Sequence, residues 1–147
     1  MISKEFVAAG NATFTIEMAE SFASKHQLKP HYTFKVRKKE ASMKYPETWF
    51  VSLLTGRDNE TSYSYLGMLD PKEGKVALTK ASKMNEDSMV VKLLRRSLER
   101  IWKNETKEIE QAGFKIHHEG RCGRCGRKLT VPESIETGLG PECAGKI

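Results

Sequence analysis

Cysteine is scarce in this 147-residue chain and absent before position 122. All three cysteines, Cys122, Cys125 and Cys143, stand in the last 26 residues. An odd, clustered set suits a disulfide framework poorly and points to metal in a reducing compartment. Long apolar runs are lacking too. None approaches the roughly 20 residues of a membrane-spanning helix, and the opening MISKEFVAAGNATF carries no secretion-signal stretch. The expected setting is cytoplasmic, with no membrane contact. Also missing are a Gly-rich phosphate loop, a Gly-x-Ser-x-Gly elbow and a paired-carboxylate motif. Asp58 and Glu60 read as turn residues, and no enzyme is expected.

What is present describes a basic globular protein. Hydrophobic residues make up 38% and charged residues 30%, enough to bury a core without help from metal. The net charge of +6 favours an acidic partner. It becomes about +5 once three thiolates and one Zn²⁺ are counted.

Residues 1–81 read mostly as β structure. Ala12–Glu17, His31–Arg37, Thr48–Leu54, Ser62–Leu69 and Lys75–Thr79 are rich in β-branched and aromatic residues. In the second, Tyr32, Phe34 and Val36 share one face, with Thr33, Lys35 and Arg37 opposite. Turn residues at 55–59 and Asp70–Gly74 are short enough to predict an antiparallel meander. Glu20–Leu28 reads as a short helix between the first two strands, and Lys38–Pro46 as an exposed basic loop. Residues 86–112 read as one long helix, capped by Asn85 and stopped at Gly113. Val91, Leu94, Leu98, Ile101, Trp102 and Ile109 form its apolar stripe. The predicted class is α+β: a body over 1–112 in which the helix covers an open sheet, then a zinc module over 113–147.

In that module, Cys122-Gly-Arg-Cys125-Gly126 is a knuckle turn. Its two thiolates reach one ion, and Gly126 supplies the positive φ the turn needs. Thr130-Val131-Pro132-Glu133 reads as a capping box opening a helix over Pro132–Thr137. Gly140-Pro141-Glu142 then sets Cys143 at the start of a final helical turn, whose dipole is expected to lower the thiol pKa. No good ligand follows Cys143, so the fourth is expected upstream, at His118 or His117. On a strand over Phe114–His118, His118 would point inward with Phe114 and Ile116, and it is preferred. His26 and His31 are too distant in sequence to rank. A closed Cys₃His site makes the zinc structural. The third cysteine argues against thioredoxin-type chemistry, and the order of His, Glu and Cys does not match a zinc deaminase.

The run GRCGRCGRKLTVPESIETGLGPECA resembles the C-terminal module of a family known only as a domain of unknown function. That family occurs in phage proteins and in bacterial proteins of phage or mobile-element origin. The matching features are Cys-x-x-Cys-Gly-Arg, the Leu129–Ser134 stretch and Gly-x-Gly-Pro-x-Cys at Gly138–Cys143. In similar sequences a histidine often precedes the first cysteine by four positions, where His118 stands. The resemblance covers about the last 30 residues and implies zinc binding and a phage-like origin, but no activity. Residues 1–110 are similar, more distantly, to a β-rich region of small phage proteins.

The expected function is binding. Arg121, Arg124, Arg127 and Lys128 surround the knuckle, and with Arg95, Arg96 and Arg100 of the helix they would form one basic surface for nucleic acid. Tyr63 and Tyr65 are candidates for stacking on bases, although half-buried strand positions suit them better. The alternative is a phage-type inhibitor or adaptor whose basic face meets an acidic surface on a host protein.

Overall fold

A computed structural model describes residues 2–56, 62–130 and 132–144. The turn at 57–60, Val131 of the capping-box stretch and the residues following Ala144 lie outside that range. The fold is α+β. Its sheet is built from β1 (Asn11–Met18), β2 (His31–Lys39), β3 (Thr48–Leu54), β4 (Tyr63–Asp70), β5 (Lys75–Ala77) and β6 (Phe114–His118). The spatial order is β5-β4-β3-β2-β1-β6, antiparallel throughout. The first five strands form the expected meander, open at β5. The sixth returns to the free side of β1, pairing Ile16 with Ile116 and Phe14 with His118. Residues 114–118 therefore belong to the sheet.

One sheet face is apolar. Phe14, Ile16, Phe34, Val36, Val51, Leu66 and Val76 are buried there against α3 (Met89–Trp102). Val91, Leu94, Leu98 and Ile101 of that helix are each at most 3% exposed. Burying those four side chains contributes on the order of 6–12 kcal/mol before chain entropy is counted. Trp102 anchors the end of the helix by donating its indole N–H to the Pro71 carbonyl at 3.0 Å.

The long helix expected over 86–112 is two helices. Asn104, at φ +60°, breaks the chain between α3 and α4 (Thr106–Gln111). Asparagine tolerates this left-handed conformation better than other residues with a β-carbon. The start also shifts: Asn85 accepts from the Asp87 amide in a local turn, and Ser88 precedes the first helical residue.

A short helix, α1 (Lys4–Val7), was not expected. The Ser3 hydroxyl accepts from the Phe6 amide and caps it, while Phe6 and Val7 are fully buried. Trp49 of β3 donates to the Ala8 carbonyl at 2.9 Å, tying this segment to the sheet. The helix between β1 and β2, α2, covers Glu20–Lys25 and places Phe22 edge-on against Phe114, 5.0 Å between centroids. Among the described residues no helix is long and apolar enough to cross a membrane.

Candidate metal centre and basic surface

The three cysteines converge. Their sulfurs all lie within 4.8 Å of one another, with Cys122 and Cys143 buried and Cys125 exposed. A tetrahedral ion with 2.3 Å bonds to sulfur needs sulfurs about 3.8 Å apart, so closure by at most about 1 Å brings all three into range.

The knuckle forms as its sequence dictates. Arg121 and Lys128 pair across a single antiparallel bridge, and the Cys122 amide donates to the Arg127 carbonyl at 2.8 Å. The Gly126 amide returns to the Cys122 carbonyl at 2.9 Å, and Gly126 takes φ +79°, as its position after the second cysteine requires. Past the knuckle, α5 (Pro132–Thr137) has the expected bounds, with Gly138 beyond it at φ +75°. Thr130 stands two residues before that helix, and Val131 between them lies outside the described residues. A final turn, α6 (Pro141–Ala144), presents Cys143.

The electrostatics differ from expectation at one sulfur. Burial pushes the Cys122 thiol up, but backbone amides of Cys125, Gly140 and Arg124 directed at its sulfur outweigh this and bring it down to about 6. The Arg124 and Gly140 amides lie 3.4 and 3.3 Å from that sulfur. Cys143, expected to be lowered by its helical turn, is raised instead. Burial is the main cause, the neighbouring thiols add to it, and the Arg124 side chain opposes it. A helix of four residues carries too little dipole to reverse this. The activated thiol is Cys122.

His118 faces inward on β6, as its register predicts, but its ring is engaged elsewhere. Its Nδ1 accepts from the Gly120 amide at 2.8 Å, and its Nε2 donates to the Ile135 carbonyl. The ring also lies 5.5 Å from that of Phe6. It joins β6 to α5 and is not among the metal-competent group, which holds the three cysteines alone among the described residues. His117 points to the other side, 3.3 Å from Glu17. The space beside the sulfurs is a cavity of about 450 Å³, bordered by Thr130, Ser134 and Glu142.

Residues 116–147 match a family of unknown function, DUF6011. A DUF6011 domain with a three-cysteine cluster thus forms the C-terminal part of the chain. Its first residues, Ile116–His118, are the end of strand β6, so the domain is built onto the body and not strung from it. No curated protein and no solved structure matches the chain.

Arg95 lies over the β5 edge, donating to the Val76 carbonyl and pairing with Glu86. Arg100 pairs with Glu105 and Glu108. Arg96 lines a groove between α3 and α4. Among the described residues no ion pair links any of the three to the knuckle. Arg124 instead borders a depression with Lys4, Lys38 and Lys72, where Glu5 is the lone acid. Arg121, Arg127 and Lys128 are exposed, with no ion pair among the described residues. Sequence reasoning missed Lys4 and Lys72, since only the fold brings them beside the domain.

The two tyrosines are half-buried on the helix-free face of the sheet. Tyr65 packs edge-on against Phe50 at 6.0 Å, and its hydroxyl accepts from Thr79. Tyr63 lies beneath the Lys35 ammonium, 4.5 Å from the ring centroid, and its own hydroxyl is buried. Burial, together with the charge of Glu119, pushes the Tyr63 phenol up.

Proposed function

We propose that this is a non-enzymatic binding protein in which one structural Zn²⁺, held by Cys122, Cys125 and Cys143, fixes a knuckle that contacts the phosphate backbone of nucleic acid. The observation that carries this reading is the exposure of Arg121, Arg127 and Lys128 with no acidic partner among the described residues. Exposed cations left unpaired at the tip of a rigid turn suit phosphate oxygens. Zinc is supported by the chemistry of the donors, because soft thiolates suit a d¹⁰ ion and leave it poorly acidic, with a fourth position still to be filled beside the three sulfurs. Zinc with three thiolates carries a net negative charge. The Arg124 guanidinium, 3.9 Å from the Cys143 sulfur, sits where it balances that charge.

The test is titration of labelled random duplex DNA and single-stranded RNA with the zinc-loaded protein. Three phosphate contacts predict binding that weakens roughly 20- to 40-fold between 50 and 200 mM salt. Arg127→Glu with Lys128→Glu should abolish it. Arg124 is left intact, since reversing its charge would disturb the sulfurs as well. No measurable binding to either nucleic acid at about 50 mM salt would sink the reading.

A further inference from the structure

A second site lies on the helical side of the body, away from the knuckle. Met89, Leu93 and Ser97 of α3 form one wall of a groove, and Phe22, Ile109 and Phe114 form the other. Its volume is about 380 Å³, within the range that accepts a ligand or a partner's side chains. The α3 residues along it run from Met89 to Arg100 at spacings of three and four. At 1.5 Å per residue the groove follows the helix for about 16 Å, roughly three helical turns. Met89, at its head, is 42% exposed and adds a flexible apolar side chain to the groove's rim.

The charge along the rim is uneven. Lys92 and Arg96 are exposed and have no ion pair among the described residues. Arg100, one turn further on, is neutralised by Glu105 and Glu108, and Glu108 is the only acid lining the groove. Two open cations four residues apart on a helix stand about 6 Å from each other. A single-headed amphiphile would use one of them. A nucleic-acid strand would gain nothing from the apolar floor and would need a longer run of cations. A second helix with carboxylates at the same four-residue spacing satisfies both cations while its apolar stripe fills the floor.

We propose that this groove docks an amphipathic helix of a partner protein, with Leu- or Phe-type side chains in the groove and Asp or Glu against Lys92 and Arg96. The proposal is independent of nucleic-acid binding by the knuckle, and the two fail separately.

A displayed library of random 16-residue peptides, selected in parallel on the zinc-loaded protein and on its Lys92→Glu/Arg96→Glu variant, tests it. Both substituted residues are exposed, so the variant should retain its melting temperature. The wild type should enrich peptides with apolar residues at helical spacing flanked by Asp or Glu. The variant should bind those peptides at least tenfold more weakly and enrich basic-flanked ones instead. Methyl and amide shifts on adding one enriched peptide should cluster at Leu93, Ile109 and Phe114. The absence of enriched peptides overturns the proposal, as do equal affinities for the two proteins or shifts elsewhere. Dodecanoate binding in the groove, or DNA binding lost in the variant, with no peptide enriched, would overturn it in favour of those ligands.

Discussion

A β-carbon on Gly138 would stand 2.4 Å from Cδ1 of Phe6, so the phenyl ring occupies the space that any other residue there would need. A β-carbon on Gly123 would meet the same ring at 2.7 Å. The cysteine-bearing turns are thus seated on a side chain of the body's own core. The Asn11 amide adds a hydrogen bond of 2.6 Å to the Gly123 carbonyl.

Gly138→Ala should therefore loosen the domain and leave the sheet intact. The clash is joined by the strain of a β-carbon at φ +75°. Together they should cost about 2–4 kcal/mol. Hydrogen exchange should rise across residues 120–144 and remain slow in β2 and β3. Uniform protection in the variant would show that the seat yields freely.

Chelation should unfold the domain and weaken the body without melting it. The large core belongs to the sheet and α3, whereas the domain's own buried cluster is Cys122, Leu129, Leu139 and Cys143. Losing its cover exposes Phe6, worth about 1.5–3 kcal/mol. Calorimetry should then show the body melting roughly 6–12 °C lower after chelation. An unchanged melting temperature would mean that the seat contributes nothing, and complete unfolding would mean that the body depends on the metal.

His118→Ala should leave metal content at about one zinc per chain, because both ring nitrogens are already engaged with Gly120 and Ile135. Cys122→Ser and Cys143→Ser should lose the metal. Elemental analysis of the purified variants decides between them. Metal loss in His118→Ala beyond what its reduced stability explains would return the histidine to the coordination sphere.

Zinc binding at pH 7.5 should release fewer than three protons. The Cys122 thiol, lowered to about 6, has already lost its own at that pH. As pH falls through about 6 that sulfur is protonated again, binding must displace one more proton, and affinity should fall more steeply. Calorimetric titrations in buffers of different ionisation enthalpy count the protons directly. A release that does not change across pH 6 would contradict the assignment of Cys122.

Much of this was legible in the sequence. Alternation and β-branching located the five meander strands, and β3 matches residue for residue. The clustering of the three cysteines, the helix at Pro132–Thr137 and the inward face of His118 were also readable, because each follows from spacing of a few residues. What escaped depended on distant partners or on one backbone angle. The four-residue α1 is too short for any periodicity, and the burial of Phe6 depends on a domain more than 100 residues away. The break at Asn104 lies in a stretch whose apolar spacing continues smoothly to Ile109. The face of His118 followed from strand register, but its partner was set by how α5 docks, which no local pattern encodes. How the arginines of α3 stand to those of the knuckle was not legible either, because the depression that sets Trp102 of α3 beside Arg124 is made only by the fold.

The pairing of β1 with β6 also governs how the molecule can be assembled during synthesis. On one side β1 meets β2 almost at once, but its other neighbour is made about a hundred residues later. At ordinary ribosomal speeds that delay is about 5–20 s. Throughout it, one row of backbone amides and carbonyls on β1 is open to any passing strand. The closing strand and the metal domain emerge together. Pairing of β6 with β1 therefore covers an exposed edge and seats the cysteine cluster in the same event.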